Sequence, residues 1–89
     1  MQIERGRIVR SAAGRDNGYY LAVVEVADST IRLCDGKERP LTRPKSKNIK
    51  HILVTGGMLT DAQLATDRAI RRGLREYAST QNQTVKSKA

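Results

Sequence analysis

Six basic side chains, Lys37, Arg39, Arg43, Lys45, Lys47 and Lys50, fall in one short stretch that holds a single acid, Glu38. Ammonium and guanidinium groups at that density suit the phosphate oxygens of a polyanion. Each phosphate neutralised releases counterions, so affinity for such a partner falls steeply with salt. The chain contains neither Phe nor Trp, so the stretch is suited to phosphates more than to stacked bases. The competing reading is a solvated connector kept basic for solubility; a net charge of +8 favours the first. His51 closes the stretch. One His without Cys or carboxylate companions makes no metal site, which leaves a hydrogen bond to nucleic acid or a structural closure as its role.

Two further constellations carry the same chemistry. Gly14 and Gly18 frame Arg15-Asp16-Asn17 in a turn whose backbone amides can face a phosphate as easily as water. Tyr19 and Tyr20 follow it, and strand alternation sends one inward and one outward. The outward ring either stacks on an unpaired base, at about 1–3 kcal/mol, or packs across strands. Arg68, Arg72 and Arg75 gather on one side of a helical segment, with Arg71 at its border. They form either a second phosphate-binding face or an ordinary solvated one with an Arg72–Glu76 pair at i,i+4.

Catalytic chemistry finds little support. Cys34 is the one cysteine, so no disulfide forms within the chain, and it reads as a small packing residue. Asp16, Asp28, Asp35, Asp61 and Asp67 sit in turns and at helix starts, where capping explains them. Their spacing suggests no catalytic acid pair, P-loop or Ser-His-Asp set. The expectation is a non-enzymatic binding protein without cofactor or metal. Its partner would be a nucleic acid and not a membrane: no apolar run approaches the roughly 18 residues of a span, and no signal-peptide core is present. A cytoplasmic location is expected.

The elements that position these groups are short. With 89 residues, 38% of them apolar, the chain holds one small core. Ile8-Val9 lies among Arg5, Arg7 and Arg10 as a first strand with an exposed basic edge. Tyr19 to Val26 is the strongest strand candidate, and Thr30 to Cys34 is the third. Asp35-Gly36 is a hairpin turn that returns the chain as a short or edge strand around Arg39-Pro40-Leu41-Thr42. Arg43 to Asn48 reads as a basic connector. Ile49 to Val54 resumes strand character, with Ile49 and Leu53 inward alongside Val54 or Ile52, and Gly56-Gly57 ends it. Thr60, Gln63 and the Leu59/Leu64 pair signal a capping box and hydrophobic staple. A continuous helix over 60–78 is expected, with a break near Thr66 as the alternative. Leu64, Ile70, Leu74 and Tyr77 form its apolar stripe, interrupted by Asp67, and Gly73 costs about 1 kcal/mol relative to Ala. The polar residues 79–89 read as a disordered tail. The sum is a small antiparallel barrel followed by a helix.

In this order the residues resemble a known family. Gly6-Arg7-x-Val9, then Gly14-x-x-x-Gly18 and a Val-rich strand, is similar to the KOW motif. The likeness runs on through Asp35-Gly36, Pro44-Lys45-x-Lys47-Asn48-x-Lys50-His51 and Ala69-Ile70-Arg71-x-x-Leu74. Over residues 3 to 78 the chain resembles the small bacterial KOW-domain RNA-binding proteins and the KOW-containing large-subunit ribosomal proteins of archaea and eukaryotes. It departs from many KOW loops at Asn17, where a Lys is common, and at Tyr19 and Tyr20, where basic residues are frequent. The resemblance implies a five-stranded SH3-like barrel over 1–56, a helical extension over 57–78 and a flexible tail over 79–89. It also implies binding to ribosomal RNA or a ribosome-associated complex, with ribosomal proteins as further partners. The contact residues expected on this basis are Arg7, Gly14, Arg15, Asn17, Gly18, Lys37, Arg39, Arg43, Lys45, Lys47, Lys50, His51, Arg68 and Arg72. The rival reading is a protein-interaction module of the transcription or translation machinery.

Overall fold

The computed structural model describes residues 3–12 and 19–86, with side chains as far as Gln81. Five strands, β1 (Arg7–Ser11), β2 (Tyr20–Val26), β3 (Thr30–Cys34), β4 (Lys45–Asn48) and β5 (Ile52–Met58), precede one helix, α1 (Asp67–Lys86). The strands form one antiparallel sheet in the order β4-β3-β2-β1-β5.

That order requires a curled sheet. β4 and β5 are its opposite edges, yet only the 3-10 turn Ile49–His51 joins them. Laid flat, five strands put their outer members about 19 Å apart. A three-residue 3-10 link with its flanking bonds spans only about 8 Å. The edges therefore approach one another, and Lys47 Nζ on β4 donates to Ser11 Oγ on β1 at 2.8 Å, although two strands separate them in the sheet. The mainly β, barrel-like fold with a C-terminal helix is thus present.

Alternation along the strands divides the apolar residues into two cores. Val9, Leu21, Val23, Ile31, Leu33 and Ile52 fill the inside of the curl. Ile8, Ala22 and Cys34 point out of it and are covered by Leu59, Leu64, Ile70 and Leu74. Both faces of β1 and β2 are buried, so these strands read Ile-Val and Leu-Ala-Val-Val without polar alternation. The helix seats closely because two glycines let it. A Cβ on Gly73 would lie 2.7 Å from Leu59 Cδ2, and one on Gly57 would lie 2.7 Å from the Tyr77 ring.

Three elements differ from the sequence expectation. Arg39 to Thr42 is not a strand. The Asp35 carboxylate accepts from the backbone N–H groups of Lys37 and Arg39, both at 2.8 Å, and winds the chain into a loop. The fourth strand is Lys45–Asn48, read as a connector because it holds no apolar residue. Its register sets Lys45 opposite Leu33 and Lys47 opposite Ile31, so the lysine stems supply the apolar contact an edge strand needs.

Strand β5 also shifts. Asn48 Oδ1 caps the 3-10 turn through Lys50 N–H, β5 starts only at Ile52, and it runs through Gly56-Gly57 to Met58. Ile52 is buried and Leu53 is 54% exposed, the reverse of the Leu53-inward expectation, since moving a strand's phase by one residue exchanges its faces.

The capping box forms, with Thr60 N–H donating to Gln63 Oε1 and Gln63 N–H to Thr60 Oγ1, but it closes only a turn. The helix begins afresh where Thr66 Oγ1 accepts from Ala69 N–H, as the alternative had it. It then continues to Lys86, past residue 78 and into the segment read as a tail.

Candidate nucleic-acid interface

The expected basic residues divide into two groups. The first surrounds Ser11, at the end of β1. Lys47 is half-buried and tied to Ser11, itself fully buried; Lys45 is half-buried on the same inward row. Lys50 and His51 stand exposed on the 3-10 turn, which is fixed to β1 by Ala12 N–H donating to His51 O at 2.8 Å. Four side chains of one short stretch therefore do two different things: Lys45 and Lys47 complete the barrel edge, and Lys50 and His51 face solvent. Gly14, Arg15, Asn17 and Gly18, expected beside them, lie outside the described residues. Arg7 is half-buried, its guanidinium directed at Thr55 O on β5 at 3.5 Å.

The second group joins the β3–β4 loop to α1. Lys37 and Arg43 are exposed on that loop and Arg39 is half-buried. Two contacts clip the loop to the first turns of the helix: Asp67 Oδ1 accepts from Leu41 N–H at 2.7 Å, and Arg71 Nη1 donates to Gly36 O at 2.7 Å. Asp67, a flaw in the apolar stripe when read as sequence, is thus the anchor of the loop, and it lies favourably at the positive end of the helix dipole. Gly36 has φ +79°, and a Cβ there would run into Asp67 O, so only glycine allows loop and helix to approach this closely.

Past that clip, Arg68, Arg71, Arg72 and Arg75 line a shallow hollow of about 280 Å³ in the surface. Their spacing of three, four and seven residues places them on one face. Arg72 Nε lies 3.6 Å from Glu76 Oε2, the expected i,i+4 pair, with both side chains well exposed. Among the described residues Arg68 and Arg75 have no ion-pair partner. The expectation set Arg68 and Arg72 as contacts; Arg71 and Arg75 complete the stripe.

The remaining singled-out groups settle into place. Tyr19 is 67% exposed, whereas Tyr20 packs edge-on against Tyr77 with ring centroids 5.3 Å apart. The Arg10 guanidinium sits 5.6 Å from the Tyr20 ring centroid, a cation–π contact that the sequence did not signal. Cys34 is fully buried beneath α1, its thiol directed at Pro40 O at 3.5 Å. Burial, then the charges of Asp67 and Asp35, push that thiol up to about 11. It is a packing group held in its neutral form.

No protein-family model matches the chain, and no curated protein is similar enough to it to carry a comparison.

Proposed function

We propose that this protein is a non-enzymatic RNA-binding module that grips its partner through phosphate contacts. The observation that carries the reading is the composite basic surface in which the Gly36 loop, with Lys37 and Arg43, is clipped to the arginine stripe of α1. Guanidinium groups pair with phosphate oxygens in bidentate fashion, and a net charge of +8 adds a long-range field of the same sign. Lys50, His51 and Tyr19 offer additional contacts, Tyr19 as a stacking platform for an unpaired base. The KOW resemblance directs the reading to ribosomal RNA or a ribosome-associated complex in the cytoplasm. Contacts of this kind position a protein by RNA shape more than by sequence.

A second reading, docking onto a protein of the same machinery, is favoured by Leu53 and Met58, both exposed on the edge strand β5. Co-sedimentation of the purified protein with ribosomal particles, in rising salt and with or without ribonuclease, separates the two. Release by salt and by ribonuclease is the expected result. Association that survives both treatments defeats the RNA reading in favour of the protein one.

A further inference from the structure

We propose that the arginine stripe of α1 binds the backbone of duplex RNA, an inference that rests on the RNA-binding reading above and specifies the form of RNA taken. The stripe is made of arginine alone: no lysine occurs between Asp67 and Gln81. A face kept basic for solubility has no need of that choice, since lysine supplies the same charge. Arginine adds a planar fork that matches two phosphate oxygens at once.

The arrangement also repels itself. Arg68 and Arg72, like Arg71 and Arg75, stand one helical turn apart, where like charges destabilise a helix. All four nonetheless border a single hollow, and Glu76, the acid paired with Arg72, is itself exposed. An anion seated among them relieves that repulsion.

The shape of the stripe selects the form of the anion. From Arg68 to Arg75 it extends about 10 Å along a rigid axis, enough for successive phosphates held at fixed spacing. Single strands reach protein surfaces largely through aromatic platforms on which bases stack. Among the described residues no aromatic lines this stripe: the hollow is lined by the arginines, and the adjoining surface by Ala62, Gln63, Ala69, Gly73 and Glu76. Tyr77, the one aromatic of the helix, is packed against Tyr20. A face with charge, rigidity and no stacking platform fits a backbone already ordered by base pairing, which is recognised by its shape.

The test is fluorescence anisotropy with a 20-base-pair RNA duplex and its unpaired single strand as probes, across a salt series. The proteins are the full chain, the variant R68Q/R72Q/R75Q and its R68K/R72K/R75K counterpart. Arg71 is left in place because it holds Gly36, and circular dichroism checks that each variant keeps the parent fold. The expected result is duplex binding about tenfold tighter than single-strand binding. The Gln variant loses that preference, and its duplex salt slope falls by about 3, near one unit per phosphate contact. The Lys variant keeps most of the slope but loses affinity. Single-strand binding equal to or tighter than duplex binding overturns the inference and leaves the RNA reading standing. A duplex preference unchanged in the Gln variant overturns the assignment to the stripe. Absence of salt-sensitive binding to either probe removes the RNA reading itself, and the inference with it.

Discussion

The β4 edge, with two lysines, and the α1 stripe, with four arginines, use their charge in opposite ways. On β4, Lys45 and Lys47 lie opposite Leu33 and Ile31, and the Lys47 ammonium is bonded to Ser11 across the curl. On α1, four guanidinium groups converge on open solvent, and the one that bonds back to the fold, Arg71, clips the neighbouring loop in place. Charge density along the sequence is therefore a poor guide to which cations stand in open solvent. The element decides: a strand alternates its side chains between core and solvent, whereas a helix collects residues three, four and seven apart on one side.

The contrast can be broken most forcefully at Gly36. Gly36→Ala forces an L side chain into left-handed backbone and drives its Cβ into Asp67 O. The strain and overlap together cost about 2–4 kcal/mol. Thermal unfolding should move down by about 10–25 °C, and a shift below a few degrees would mean that loop and helix are not locked together.

Lys47 and Lys50 sharpen the contrast at smaller scale. Lys47→Ala removes a charged donor from the buried Ser11 hydroxyl and should cost about 1–2 kcal/mol in denaturant unfolding. Its effect on RNA affinity at fixed salt should be slight. Lys50→Ala should reverse the pattern, with stability unchanged and the salt slope of RNA binding lowered by about one. Equal effects of the two substitutions would erase the distinction drawn between edge and surface.

Cys34 gives the smallest effect. Its thiol is raised from 9.0 to about 11, so the folded state holds its proton more tightly than the unfolded chain does. Stability from this group is complete below pH 9 and is lost as pH rises from 9 toward 11. Cys34→Ala should therefore flatten part of the decline in unfolding free energy over that window. Alkylation of native protein at pH 8 should be slow, and rapid labelling would contradict the burial.

The sequence made the β1–β2–β3 meander legible through its short apolar and β-branched runs, and the helix through the recurrence of Ile70, Leu74 and Tyr77 on one face. It hid β4, whose apolar contact comes from lysine stems. It also misled at Asp67 and Gly73, which look like faults in a helix considered alone. Each becomes intelligible only with its partner, Leu41 N–H for the first and Leu59 for the second, and both partners are distant in sequence. Within the candidate interface, the arginine stripe could be projected from helical periodicity. The inward turn of Lys47 could not, since it depends on register with β3 and on the curl that brings Ser11 within reach.

The two-sided burial of the sheet has a consequence for the order of synthesis. Ile8, Ala22 and Cys34 leave the ribosome well before Ile70 and Leu74, the residues that cover them. Until α1 has emerged, a nascent barrel can complete its inner core but carries an uncovered apolar outer face open to other chains. The helix is then a late-arriving lid on an adhesive surface, and its arginines are set in place only when that lid closes.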